Sequence, residues 1–263
     1  MKTKENTYQT FMLSIFLLYF VYWFYQGHFL FQLNHRVLKT TGIDNTYWLF
    51  CILRIPQTII LFGIYFDVLL VLGFITGFIT HNKWWFRFLF LIVIIHVVTF
   101  NIFSGIHSKS CVILPLVLLP YCFPAIKNLL SDGVRLYLLF IFISAAIYKI
   151  ANGGLLHENQ LVHILENQHL DLSILQPDHF IYKISLWIIN HTFIAGILWY
   201  LFFATELIFV AGLFTKKYDS CLAVLLVIMI VCTYAVMRIS LFDFILFLPF
   251  LVNNPEKQPE LDL

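Results

Sequence analysis

The chain has 263 residues, of which 61% are apolar or aromatic and 11% are charged, and its formal net charge is +2. Because an ordinary soluble domain is about a quarter charged, this composition excludes a water-soluble globular protein, and the small net charge gives no support for nucleic-acid binding. Long continuous apolar runs are typical of helices that cross a membrane. We therefore expect an all-α fold, a polytopic integral membrane helical bundle.

Seven spans are predicted in a single domain over 1–263, since each crossing needs about 20 apolar residues. They lie near 11–33, 49–80, 85–105, 110–130, 134–151, 192–214 and 220–251. The second and seventh are too long for one straight crossing, and Pro56 is expected to bend the second. Arg238, Ser240 and Asp243 interrupt the seventh. If they divide it into two half-spans, the count becomes eight.

The features between and within these spans give further expectations. Segment 152–186 is the one long stretch not predicted to cross, and we expect an interfacial helix there on the outer membrane surface. Gly73 and Gly77 form a GxxxG pattern, which we interpret as a place of close helix packing. The excess of Lys and Arg over short loops favours a cytoplasmic N-terminus. The first apolar run lacks a small-residue cleavage site, so we interpret it as a retained span.

Six of the charged residues inside the predicted spans are singled out here, because a lone ionised group is costly in a membrane. They are Arg54, Asp67, Lys149, Glu206, Arg238 and Asp243. Three cations and three anions favour pairing inside the bundle, and ion pairs that only fix helix register are as open an interpretation as a functional site. Counting depth along the spans predicts one outer-facing set, made of Arg54, Asn101, His107, Lys149, Arg238 and Asp243. Asp67 and Glu206 are left on the inner side as a charge pair or proton relay.

Lys149 follows an apolar run with small residues and precedes Gly153 and Gly154. If its amine stays buried without a nearby anion, desolvation lowers its pKa and yields a neutral base. If the side chain extends outward to the membrane surface, it is only a helix-end anchor. The sequence leaves both interpretations open.

The histidines do not indicate a metal site. His157, His163 and His169 recur at a spacing that does not place two of them on one helix face, so no metal is expected. We interpret His96, inside the third span, as a hydrogen-bonded core or interfacial histidine.

The segment FISAAIYKIANGGLL resembles the AG-x-x-K pattern of the HTTM domain, the membrane domain shared by vitamin K-dependent gamma-glutamyl carboxylase and many bacterial proteins, with Ala146 where that pattern has glycine. GIHSKSCVILPLVLLPY and FFATELIFVAGLFTKKYDS are similar to the segments that flank the lysine helix in that family. Short bacterial HTTM-like proteins and DoxX-like quinone-linked proteins are the nearest comparisons, so the resemblance implies a bacterial cytoplasmic membrane protein.

The resemblance also implies a chemistry. In the carboxylase a membrane lysine acts as base toward a reduced quinol, and Lys149 matches that lysine, with His107 a weaker match to an assisting histidine. An isoprenoid quinone or quinol is then the implied cofactor, and a quinol-linked carboxylase-like or oxygenase-like reaction is implied if the chain is an enzyme. The residues expected to bind the quinone or substrate are Arg54, Asn101, Arg238 and Asp243. Because the chain ends shortly after the last predicted span, we expect no counterpart of the carboxylase's extracytoplasmic region.

Two alternatives come from other functional classes. One is a membrane partner protein for the maturation, export or immunity of a secreted peptide or protein, which would contact the acidic segment 154–178. The other is a proton- or ion-coupled carrier that uses Asp67 and Glu206, although no inverted repeat is visible. Membrane lipids are expected partners in every case.

Overall fold

The computed structural model describes residues 2–33, 61–104, 110–154 and 159–252, and every regular element in these ranges is helical. The chain forms two compact units, Met1–Asp132 and Gly133–Leu263. Among these residues, six helical stretches are long and apolar enough to cross a membrane, and they lie at Tyr8–Leu33, Gly63–Thr80, Lys83–Asn101, Pro124–Ala151, Thr192–Phe214 and Asp219–Met237. The protein is therefore a membrane-type helical bundle, as its composition predicts.

Five helices lie wholly within the described residues of the first unit. They are α1 (Lys2–Gln26), α2 (Leu30–Leu33), α3 (Gly63–Thr80), α4 (Lys83–Ser104) and α5 (Ser110–Cys122). Helix α4 packs against α3 and α5, while α3 also packs against α1 and α2. Aromatic side chains fill the space between α1 and α3, where the Phe16 and Phe74 rings lie 4.6 Å apart.

The GxxxG prediction is confirmed at the contact between α3 and α4. The Trp85 indole N–H donates to the Gly73 carbonyl over 2.8 Å. A Cβ built at Gly73 would lie 2.3 Å from Leu89 Cδ2, and one built at Gly77 would lie 3.1 Å from the Trp85 ring. Two glycines one turn apart therefore let α4 approach α3 more closely than side chains would allow.

The predicted fourth span, 110–130, is wrong in its extent. Helix α5 covers the described residues Ser110–Cys122 and ends at Cys122, before the predicted end at residue 130. Phe123 has φ −128° and ψ 73°, because the ring of the following Pro124 disfavours helical geometry at the preceding residue. A short 3₁₀ turn, Pro124–Ile126, then leads into the next long helix.

The second unit contains the remaining helices, and the unit boundary falls within α6 (Lys127–Ala151). The others are α7 (Gln160–Gln168), α8 (Leu170–Leu175), α9 (Phe180–Asn190), α10 (Thr192–Ile208), α11 (Ala211–Phe214), α12 (Asp219–Met237) and α13 (Leu248–Val252). Segment 152–186 thus holds short helices where one interfacial helix was expected. Helix α7 buries Leu161 and Leu165 and packs against α9, α10 and α12.

The predicted interruption of the seventh span is confirmed. Helix α12 ends at Met237, and Arg238 adopts left-handed geometry with φ 53° and ψ 20°. The Arg238 amide donates to Tyr234 O and the Ile239 amide donates to Thr233 O, a pairing that satisfies the last free carbonyls of a helix. A 3₁₀ turn, Phe242–Phe247, precedes α13.

Candidate functional site: the Lys149 pocket

Lys149 lies in the last turns of α6 and reaches two residues of α10. Its Nζ donates to Glu206 Oε1 over 2.6 Å, and the two side chains are 21% and 12% exposed. The same ammonium lies 4.9 Å from the centre of the Trp199 ring, within the range in which an aromatic face attracts a cation. Lys149 is therefore held from two directions inside a unit of mostly apolar helices.

Backbone hydrogen bonds fix the Trp199 ring relative to Lys149. The Trp199 indole N–H donates to Gly154 O over 2.9 Å, and the Gly154 amide donates to Lys149 O over 2.8 Å. A Cβ at Gly154 would lie 3.2 Å from that same Lys149 oxygen, so glycine permits the close turn. Gly153 beside it has φ 67°, which favours glycine. The chain thus returns on itself after α6 and positions the ring under the ammonium.

A pocket of about 800 Å³ opens beside this lysine, within the size range of small-molecule sites. Its described lining residues are Ser144, Ala145, Tyr148, Lys149, Asn152, Gly154, Gln160 and Trp199. The lining combines two aromatic side chains with an ammonium, two amides and a hydroxyl. Of the two ion-pair partners, Lys149 lines the pocket and Glu206 does not.

The ion pair corrects the predicted depth assignment, which put Lys149 in an outer set and Glu206 in an inner one. The structure joins the two directly, since Lys149 Nζ lies 2.6 Å from Glu206 Oε1. A neutral lysine base was expected only if no anion lay near the Lys149 amine. This condition is not met, because Glu206 Oε1 lies 2.6 Å from Lys149 Nζ. The prediction that membrane charges pair with one another is confirmed here.

Asp67 lies in the first unit and has different partners. It is 4% exposed, and its carboxylate accepts the Leu30 and Phe31 amides at 3.1 and 3.0 Å. His96 Nε2 lies 3.0 Å from Asp67 Oδ1, and the His96 ring stacks on Trp23 at 5.0 Å. The interpretation of His96 as a hydrogen-bonded core histidine is confirmed. Asp67 and Glu206 each have a described partner within their own unit, His96 and Lys149 respectively.

Two other residues predicted for the Lys149 set, Arg238 and Asp243, are not among the described residues that line its pocket. Arg238 donates to Asp171 Oδ1 over 2.6 Å and lines a separate, open pocket of about 490 Å³ beside α8. Asp243 is buried in the 3₁₀ turn that follows α12. Asn101 lies near the end of α4. Arg54 and His107 fall outside the described residues.

A second buried ion pair was missed by the sequence reasoning. Arg135 Nε and Nη2 donate to the two carboxylate oxygens of Asp219, each over 2.7 Å. Nη2 also donates to Gly212 O over 2.6 Å. Arg135 lies at the start of the predicted fifth span, and its side chain is 6% exposed. The available signal was the opposite charge of Asp219 directly before the last span.

His169 joins α7 to α9 through a buried polar contact. Its Nδ1 lies 3.0 Å from Leu165 O, and its Nε2 lies 3.0 Å from the Ser185 hydroxyl. Nδ1–H donates to the Leu165 carbonyl, and the Ser185 hydroxyl lies 3.0 Å from both Nε2 and Ile181 O, so either atom can accept its single hydrogen. Burial lowers the pKa of His169 from its ordinary value, because the charged form loses water.

No protein-family model, curated protein or solved structure matches this chain. Within the described ranges, no group of three or more His, Cys, Asp or Glu side chains lies close enough together to hold a metal ion. The functional argument therefore depends on the geometry of the Lys149 pocket.

Proposed function

We propose that this protein is a multi-pass membrane protein that binds a lipid with a compact polar head group in the Lys149 pocket, and that the ligand is an isoprenoid quinone. The observation that carries the proposal is the Lys149 ammonium, which faces a pocket of about 800 Å³ among apolar helices. An ionisable residue inside a membrane is costly and usually marks a functional site.

The lining fits a quinone head group. Quinone oxygens accept hydrogen bonds, and the pocket offers donors on Lys149, Asn152 and Gln160. The aromatic side chains of Trp199 and Tyr148 offer contact surface for a flat ring. Two of the amine's three hydrogens remain after the bond to Glu206.

The role of Lys149 follows from its partner. A bound quinone supplies reversible electron and proton chemistry. Because Glu206 keeps Lys149 paired, we propose that Lys149 acts as a hydrogen-bond and proton donor to a ligand oxygen, and that Glu206 balances the charge. This role replaces the neutral base that the family resemblance implied.

The proposed cellular setting is a bacterial cytoplasmic membrane with the N-terminus in the cytoplasm. The membrane setting is supported by the six membrane-length helices among the described residues and by the resemblance to bacterial HTTM-like proteins, and the proposed orientation comes from the Lys and Arg count over the seven spans predicted from the sequence. Whether the chain is an enzyme depends on whether the bound lipid is turned over.

The test is to purify the protein in native lipid and identify the bound small molecules by mass spectrometry. We expect a stoichiometric quinone in the wild type and its loss in Lys149→Ala. Lys183→Ala is the matched control, because Lys183 is 59% exposed and pairs with the exposed Asp178. It should keep the quinone.

A second variant fills the pocket and leaves both residues of the ion pair in place. Ala145 lines the pocket, so Ala145→Phe should displace the ligand, while Ala151→Phe at an exposed position of the same helix should not. The same bulk phospholipid in every sample would overturn the proposal. A co-purified peptide in place of a lipid would instead favour the peptide-partner alternative.

A further inference from the structure

We infer that Glu206 makes the Lys149 pocket select uncharged head groups and reject anionic ones. The inference rests on the proposed function, and it names Glu206 as the residue that determines ligand charge. The observation behind it is that Lys149 lines the pocket and its ion-pair partner Glu206 does not.

The pair is electrically neutral as it stands. One lysine hydrogen is committed to Glu206 Oε1 at 2.6 Å, and the ammonium also lies over the Trp199 ring. A neutral ligand with an acceptor oxygen can use the remaining lysine hydrogens without breaking either contact. Binding of such a ligand therefore leaves the charge balance of the buried site unchanged.

An anionic ligand would compete with Glu206 for the same ammonium. Glu206 is not among the described residues that line the pocket, so a ligand there would contact Lys149 and not the Glu206 carboxylate. Its second oxygen, Oε2, is buried and has no hydrogen-bond partner among the residues that the structure describes. If Lys149 turned to an anion, neither Glu206 oxygen would keep a described partner, and a buried unpaired carboxylate is strongly unfavourable.

The same reasoning predicts the effect of neutralising Glu206. In Glu206→Gln the side chain keeps its size, but the lysine charge is no longer balanced. An anionic head group would then supply the missing charge. The preference of the pocket should therefore move from the neutral quinone to an anionic lipid.

The experiment measures competition between two probes on the purified protein, a short-chain benzoquinone and the anionic lipid phosphatidylglycerol. Native mass spectrometry gives the ratio of the two bound forms. The wild type should favour the quinone, and Glu206→Gln should shift the ratio toward phosphatidylglycerol by about tenfold or more, as expected for truncating one partner of a buried charge pair. Glu166→Gln is the control, because Glu166 is 53% exposed, and its ratio should match the wild type.

The wild type alone provides a second test that does not depend on the variant folding. A neutral pair should bind phosphatidylglycerol no better than zwitterionic phosphatidylcholine, whereas an unbalanced lysine would prefer phosphatidylglycerol. That preference in the wild type, or an unchanged ratio in folded Glu206→Gln, would overturn the inference while leaving quinone binding intact. A wild type that binds no quinone would instead overturn the proposed function.

Discussion

Breaking the buried ion pair between Arg135 and Asp219 should destabilise the second unit strongly. Asp219 is 3% exposed, and Arg135 supplies both of its side-chain hydrogen bonds as well as one to Gly212 O. Arg135→Met leaves a buried carboxylate without its cation, which costs about 3–5 kcal/mol. Asp219→Asn keeps the shape and part of the hydrogen bonding, so we expect a smaller loss of about 1.5–3 kcal/mol.

The assay is a double-variant cycle that measures unfolding free energy by titration with SDS in mixed micelles. The double variant should be less destabilised than the sum of the single variants by about 1–3 kcal/mol, since both single variants remove the same interaction. The exposed pair of Lys183 and Asp178 is the matched control and should show almost no coupling. Additive losses at Arg135 and Asp219, with a coupling below about 0.5 kcal/mol, would refute the reasoning.

Two further predictions concern packing and pH. Gly73→Ala should cost about 1–3 kcal/mol of unfolding free energy by overpacking, because its Cβ would lie 2.3 Å from Leu89 Cδ2. Gly133→Ala is the control, because its Cβ would meet nothing within 4 Å. It should be neutral or stabilising in the same SDS titration. Because the pKa of His169 is lowered from 6.5, the unfolded chain binds more protons below that pH, so stability should fall on acidification through about pH 6.5 and be fully present above it. Replacing the histidine with Gln should reduce this pH slope in thermal unfolding curves; an unchanged slope would show that His169 does not contribute.

Hydropathy predicted most of the membrane helices well. The predicted span 85–105 corresponds to Lys83–Ser104, and the break in the last span falls at Arg238, because continuous apolar length and its interruption by charge are properties of the local sequence. The fourth span failed because apolar residues continue past Pro124, so a hydropathy window does not register the helix end at Cys122. The helix end is explained instead by Pro124, because a proline disfavours helical geometry at the residue before it.

The site was predictable in part. Lys149 and Glu206 were each identified as charges that need a partner inside the membrane, but the two are 57 residues apart in the chain. Depth counted along helix axes does not include the reach of a lysine side chain, so the pairing itself was not predicted. Trp199 had no sequence signal, since its role depends on a ring orientation set by the Gly154 carbonyl.

The most direct test of the central claim is photo-crosslinking with a photoreactive short-chain quinone analogue, followed by peptide mapping of the labelled protein. The account predicts labelling in the last turns of α6 around Lys149 or at Trp199 in α10, and the label should be lost when excess unlabelled quinone is present. Labelling confined to other segments, or labelling that excess quinone does not reduce, would contradict the assignment of the Lys149 pocket as the quinone site.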